Sequence, residues 1–295
     1  MPTVHDPKAL TSAGEEILTG LIGSGIRASS SPALHMEEAR SLGLRLRYTI
    51  FDLDEQPKGV AALDDLLATA ELAGYAGLNI THPCKQLVIK LLHELSEDAR
   101  ALGAVNTIVF SKGRRIGHNT DWWGFAEGFR RGLPGASVTQ VTQLGAGGAG
   151  SAVAYAMLQM GAQQLQVFDL DQARAEQMIG VLSTQFGSAK IRVGINLAEA
   201  MHASAGVINA TPVGMLKYPG LPLPVSLLNP SKWVAEIVYF PLETALLREA
   251  RAIGCPTVDG GGMVVFQAAE AFRLFTGIKP DALRMLARFR NGVAR

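Results

Sequence analysis

Residues 138–171 read VTQVTQLGAGGAGSAVAYAMLQMGAQQLQVFDLD. Val138 to Leu144 has the composition of a strand, Gly145 to Gly150 is a glycine turn, and Ser151 to Met160 is an Ala-rich helix. Leu165 to Asp169 is the next strand, and a second helix starts near Gln172. Gly145, Gly147 and Gly150 fit the pattern G-x-G-x-x-G. Alone that pattern is weak. Here it has a strand before it, a helix after it and an acidic residue at the end of the next strand, the context of a dinucleotide-binding unit. Gly145 permits the tight turn, Gly147 lets a pyrophosphate approach the backbone, and Gly150 allows close packing. The helix start supplies free N–H groups and a partial positive charge.

Gly145, Ala146, Gly147, Gly148 and Ala149 are therefore the phosphate-loop candidates. Asp169 is placed to accept both ribose hydroxyls of NAD, and Asp171 adds a second negative charge. A 2′-phosphate held within a few ångströms of them would cost on the order of 1–4 kcal/mol. The reading is NAD over NADP. Arg174 is the first cation after the strand, and the competing reading has the two acids only cap the following helix.

Outward from this unit, short apolar runs alternate with helical patterns, which predicts an α/β protein with mainly parallel sheets. A chain of 295 residues suggests two domains at roughly 100–200 residues each. Gly20 to Gly23 ends a strand, Ser31 and Pro32 open a helix as N-cap and first helical residue, and Arg47 to Phe51 is a strand. Gly59 to Leu72 is an amphipathic helix and Tyr75 to Ile80 a strand. Val105 to Phe110 pairs with Arg114 to Gly117 as a hairpin. Trp122 to Arg131 is a helix ended by Gly132-Leu133-Pro134-Gly135, Val207 to Asn209 and Trp233 to Ile237 are strands, and Met263 to Phe275 and Pro280 to Phe289 are closing helices. The predicted division is residues 1–121, completed by 257–295, as a substrate-binding domain, and 122–256 as a doubly wound Rossmann-type domain.

Apolar residues make up 48% of the chain and charged ones 18%, enough for two cores. A net charge of +1 with no basic run argues against a nucleic-acid partner. Met1 to Lys8 lacks an apolar signal region, and no apolar stretch reaches the ~18 residues of a membrane span. The expected setting is cytoplasmic, with Cys84 and Cys255 as reduced thiols. No His/Cys/Asp/Glu set has metal-ligand spacing, so no metal is expected, and no Gly-x-Ser-x-Gly hydrolase signal is present.

A dehydrogenase needs a group that gives or takes the hydroxyl proton while hydride moves. Two segments offer one: Asn79-Ile80-Thr81-His82-Pro83-Cys84-Lys85 and Gly117-His118-Asn119-Thr120-Asp121. Lys85 and Asp121 would make an acid–base pair if they converge in an interdomain cleft, worth roughly 10²–10⁴-fold. Spacing alone leaves Lys85 equally readable as a surface helix lysine, and His82 and His118 as polar residues near a cleft mouth.

With these residues in hand, the chain resembles the shikimate/quinate dehydrogenase family over nearly its whole length. The matching segments are Ser29 to Pro32 with His35; Asn79 to Lys85; Gly103 to Thr107; Asn119 to Asp121; Gly145 to Ala149; Asn209 to Met215; and Gly262-Met263 through Gln267. The resemblance implies that Lys85 and Asp121 are the catalytic pair and that Ser29 and Ser31 hold a substrate carboxylate, with Tyr239 near it. It implies that Thr81, Asn106, Asp121 and Gln267 bind ring hydroxyls. Thr211, Val213 and Met215 would lie along the cofactor, with Ile237 and Gly260 near the nicotinamide. NADP-using members of the family usually carry Asn-Arg-Thr where this chain has Asp169-Leu170-Asp171, which resembles the NAD-using quinate/shikimate branch. Some quinate-preferring relatives have Thr at the position of Ser31, a vote of one methyl group, about 1 kcal/mol, for shikimate. The alternatives are a quinate-preferring or aminoshikimate-type dehydrogenase, or a catalytically silent NAD-sensing protein. A monomer or homodimer acting on a small hydroxylated ring carboxylate is expected.

Overall fold

The computed structural model describes residues 15–293; the reading of Met1 to Lys8 falls outside them. The chain forms two compact α/β units. The first comprises residues up to Thr120 with Ala268–Phe289, the second Asp121–Gln267 with the residues from Arg290 on. The chain returns to the first unit at Ala268, inside the helix Gly261–Thr276, whereas the sequence places the return at 257. Glycines 260–262 mark where that helix begins, but packing decides where its residues belong. Phe272 and Phe275 surround His35 of the first unit.

The first unit holds β1 (Ile17–Gly23), β2 (Leu46–Asp52), β3 (Gly77–Ile80), β4 (Glu94–Leu95), β5 (Thr107–Ser111) and β6 (Arg114–His118) in one sheet, ordered β2-β1-β3-β5-β6-β4. β1 runs parallel to β2 and β3, β5 is antiparallel to β3, and β5 and β6 form the expected hairpin. β1 reads almost continuously apolar, as a strand covered on both faces must. One core cluster gathers Ile22 of β1, Leu78 and Ile80 of β3 and Ile108 of β5 with Leu67 and Val88. The helix after β1 spans Ser31–Ser41, and its N-cap is Ser30 rather than Ser31. Ser31 is already the first helical residue, and its N–H donates to the Ser29 hydroxyl at 3.2 Å. The C-terminal helix Ala282–Val293 is tied to this one through buried Glu38, whose carboxylate accepts the Asp281 N–H and two nitrogens of Arg284.

The second unit holds β7 (Gln140–Leu144), β8 (Gln164–Phe168), β9 (Ile191–Val193), β10 (Gly206–Asn209), β11 (Trp233–Glu236) and β12 (Thr257–Val258). Their order is β12-β11-β10-β7-β8-β9 and every pairing is parallel. This is the doubly wound sheet that the glycine turn predicts. The strand order reverses between β7 and β10, which is where such sheets bind ligands, at the carboxyl ends of the strands. The helix after β7 starts at Gly148, three residues before the predicted Ser151. Glycine at the first turn hides helix starts that are usually read from a polar cap.

Both cysteines are free and buried. Among the described residues no helix is long and apolar enough to cross a membrane, and no group of three His, Cys, Asp or Glu could hold a metal ion.

His35 is wholly buried among Tyr48, Phe272 and Phe275, with ring centroids 4.9, 6.0 and 5.9 Å away. Neither ring nitrogen has a hydrogen-bond partner, and burial lowers its pKa to about 3. Unfolded His35 takes up a proton near its ordinary value of 6.5, while the folded ring stays neutral until the pH nears 3. Stability is therefore intact above about 6.5 and falls as the pH drops below it. Between pH 7 and about pH 5 this one group should remove roughly 2 kcal/mol. Urea unfolding at the two pH values should show His35→Phe losing less stability than wild type by about that amount; equal losses would remove His35 as the cause.

Candidate active site

In the first unit, the substrate candidates collect at one edge of the sheet. The loop carrying Ser29 and Ser31 leaves the end of β1, Thr81 and Lys85 follow β3, and Asn106 precedes β5. Because β5 is antiparallel to β3, with Asn79 opposite Thr107, the start of β5 lies at the same edge as the end of β3.

A chain of hydrogen bonds links Ser29 and Ser31 to Asn106. The Ser29 hydroxyl donates to that of Ser31 at 3.1 Å. Ser31 is bonded in turn to Tyr48, whose phenol is buried and pushed up in pKa by that burial. The Tyr48 hydroxyl donates to Asn79 Oδ1 at 2.8 Å, and Asn79 Nδ2 donates to Thr107 Oγ1 at 3.1 Å. Thr107 Oγ1 donates to Asn106 Oδ1 at 3.0 Å, which also accepts the Thr120 N–H at 2.7 Å. Asn106 Nδ2 donates to Thr120 Oγ1 at 2.9 Å. Ser29, Ser31 and Asn106 thus belong to one polar network. Tyr48, Asn79, Thr107 and Thr120 fall outside the predicted site. Asn79 and Thr120 flank predicted residues, which was the available signal; Tyr48 carries none.

Lys85 sits in the short helix Cys84–Leu87, entered through Pro83. Its backbone carbonyl accepts the Val105 N–H at 2.8 Å, which ties its helix to the residues entering β5. Asp121, the buried first residue of the helix Asp121–Gly132, follows Thr120 directly.

In the second unit, Gly145 has φ +100°, and a Cβ there would stand 2.5 Å from the Ala210 carbonyl oxygen. Only glycine lets the loop after β7 approach the loop after β10 this closely. A Cβ on Gly150 would overlap the Gly145 carbonyl oxygen, while Gly147 and Gly148 face open space. Gln143, buried in β7, clamps the turn shut: its Nε2 donates to the carbonyls of Gly145 at 2.8 Å and Gly150 at 2.9 Å. Sequence reading passed over this residue, since a polar side chain within a strand run looks like a solvent-facing one.

Asp169 Oδ2 accepts the Ala146 N–H at 2.7 Å and Oδ1 the Asp171 N–H at 2.9 Å. Arg174 reaches Asp171 at 3.2 Å and Asp169 at 3.7 Å. Asp171 also caps the helix Gln172–Phe186 through the Arg174 N–H. Helix capping therefore explains Asp171, while Asp169 is turned to the glycine loop.

Beyond β10, Asn209 Oδ1 accepts the N–H and hydroxyl of Thr211, and Thr211 Oγ1 accepts the Val213 N–H. Gly260 packs against the carbonyls of Ile237 and Val238. Met215 and Tyr239 are exposed. Gln267 bonds the Val264 carbonyl of its own helix at 3.0 Å.

These residues fit a dinucleotide. The helix opening at Gly148 is capped by Gly147 without a side-chain bond, and space lies beside both glycines where a side chain would stand. Free N–H groups at a helix start bind phosphate. Gly148→Ala should fill that space and weaken dinucleotide binding while changing stability by less than about 1 kcal/mol. Gly150→Ala should lower stability by about 1–3 kcal/mol, since the oxygen it meets is backbone. Thermal melts with and without dinucleotide separate the two; a Gly148→Ala chain that binds as wild type does would count against the phosphate site.

Residues 21–108 match the family model described as the shikimate dehydrogenase substrate binding domain, and residues 260–288 match the shikimate 5'-dehydrogenase C-terminal domain. A Streptomyces avermitilis protein named shikimate dehydrogenase (NADP(+)) is 54% identical over 92% of this chain and 94% of its own length. A Corynebacterium efficiens protein named quinate/shikimate dehydrogenase (NAD(+)) is 49% identical over 93% of this chain and 98% of its own. The structure of a quinate dehydrogenase from Corynebacterium glutamicum in complex with NAD superposes with a TM-score of 0.90 at 45% identity, covering 94% of this chain and all of that one. With its glycine loop, its two α/β units and these relatives, the chain belongs to the shikimate/quinate dehydrogenase family of nicotinamide-dependent oxidoreductases.

Proposed function

We propose that this protein moves hydride between NAD and a ring hydroxyl of shikimate, with quinate as a second substrate. The observation that carries the NAD reading is the Asp169 carboxylate at the end of β8, bonded to the Ala146 N–H of the glycine turn. With Asp171 beside it, a 2′-phosphate would meet two negative charges.

A bound nicotinamide supplies the hydride acceptor or donor. The protein's own residues handle everything else. Ser29 and Ser31 take the substrate carboxylate, with Tyr239 as a further hydroxyl for it. Thr81, Asn106, Asp121 and Gln267 take the ring hydroxyls. Lys85 exchanges the hydroxyl proton, and Asp121 is its carboxylate partner. A site that satisfies each hydroxyl leaves its own buried groups unpaired when an analogue lacks one, which gives sharp selectivity. On the cofactor side, residues 145–149 take the phosphates and Asp169 the ribose, Thr211, Val213 and Met215 lie along the cofactor, and Ile237 and Gly260 are near the nicotinamide.

NADP use is the second reading, favoured by the Arg174 guanidinium, which lies at the two acids and is half exposed. If it turns outward, it can meet a 2′-phosphate. The relative named for NADP is 54% identical.

Steady-state oxidation of shikimate and quinate, each with NAD and with NADP, tests both readings. NAD should lead by at least about tenfold in kcat/KM; an NADP lead would overturn the charge argument in favour of Arg174. Lys85→Ala should lower turnover by roughly 10²–10⁴-fold with NADH binding unchanged. A wild type that binds NADH and turns over none of these substrates would support a silent sensor instead.

A further inference from the structure

Glu236 ends β11 and is buried. Four hydrogen bonds converge on its carboxylate. Asn209 Nδ2 lies 2.9 Å from Oε1 and 3.0 Å from Oε2. The Val238 N–H donates to Oε1 at 3.0 Å and the Thr244 hydroxyl to Oε2 at 3.0 Å. Burial raises its pKa to about 7 against the pull of those bonds.

The partners of Glu236 govern two loops. Asn209 builds the turn through Thr211 and Val213, and its Nδ2 also donates to the Val213 carbonyl at 2.8 Å. Val238 and Thr244 bracket the segment that carries Tyr239, and the Thr244 hydroxyl accepts the Leu247 N–H to cap the helix Ala245–Ile253. A buried carboxylate is costly to keep in a protein interior, and the neutral isostere glutamine does not match these donors. Asn209 Nδ2 stands against both oxygens, so the glutamine amide nitrogen would face a donor in either orientation.

We propose that Glu236 is a positioning residue for cofactor binding, holding segments 211–215 and 237–244 in the one arrangement that receives the nicotinamide end. This rests on the reading above, in which Thr211 to Met215 lie along the cofactor and Ile237 lies near the nicotinamide. Glu236 touches neither substrate nor cofactor in this role; it acts through Asn209, Val238 and Thr244.

Fluorescence titration of the full chain with NADH and with NADPH, alongside steady-state constants, tests the idea. Glu236→Gln should weaken the tighter-binding dinucleotide at least about fivefold and raise its KM in step. The KM for shikimate should move less than that for the dinucleotide, because the network from Ser29 to Asn106 lies in the first unit and shares no residue with Glu236, and Tyr239 is the one carboxylate-side residue in the segment that Glu236 braces. Thr244→Val should weaken the dinucleotide about threefold, and Thr244→Ser, which keeps the hydroxyl, should bind as wild type. Unchanged dinucleotide binding in Glu236→Gln overturns the proposal, as does equal weakening of dinucleotide and shikimate, which would mark general loosening. If Glu236→Gln does not fold, the Thr244 pair decides: wild-type binding by both variants overturns it. A wild type that binds neither NADH nor NADPH removes the cofactor reading, and this proposal with it.

Discussion

Between β7 and β10 the second sheet reverses the direction in which strands are added, and the loops leaving these two strands must either part or collide there. In this protein they touch. Gly145 stands against the Ala210 carbonyl, and the Ala210 N–H donates back to the Leu144 carbonyl at 2.7 Å. No side chain fits at 145, so the turn stays low and the next helix begins at once, with its first amides uncommitted to side chains. Gln143 from below and Asp169 from the side then fix the turn. One holds its carbonyls and the other an N–H, so the loop is braced by both kinds of backbone group.

The first unit solves a different problem. It buries several neutral polar side chains that must be held at fixed angles. Buried polar groups are expensive unless each is paired. The chain from Ser29 through Tyr48, Asn79 and Thr107 to Asn106 meets that demand by linking the groups to one another. His35, beside Tyr48, is the exception, a buried ring with neither nitrogen paired.

Charge at the end of β8 is balanced internally. Asp169 and Asp171 are neutralised in part by Arg174, a pair arrangement in which the cation is the more exposed member. Surface ion pairs of this kind contribute little to stability, so the guanidinium can leave its partners at small cost. Relatives named for NAD and for NADP are both close to this chain.

The sequence by itself determined the second unit's core architecture. A glycine turn between a strand and a helix, then a strand ending in Asp169, has few other uses, because period and turn chemistry are local properties of the chain. The β5–β6 hairpin was legible for the same reason. Short edge strands such as β4, β9 and β12, each of two or three residues, were not, since so few residues establish no period. Ser30 rather than Ser31 caps the first helix, a choice that neighbouring serines leave to backbone geometry. Gln143, Tyr48 and Glu236 were decided only by tertiary structure. Each is a polar residue within a run that the sequence reads as strand, and nothing in such a run says which side is buried. Gln143 bonds carbonyls two and seven residues on, but two of these residues have partners far along the chain, 31 residues from Tyr48 to Asn79 and 27 from Asn209 to Glu236. A hydrogen bond across such a separation exists only after the sheet has brought its two ends together.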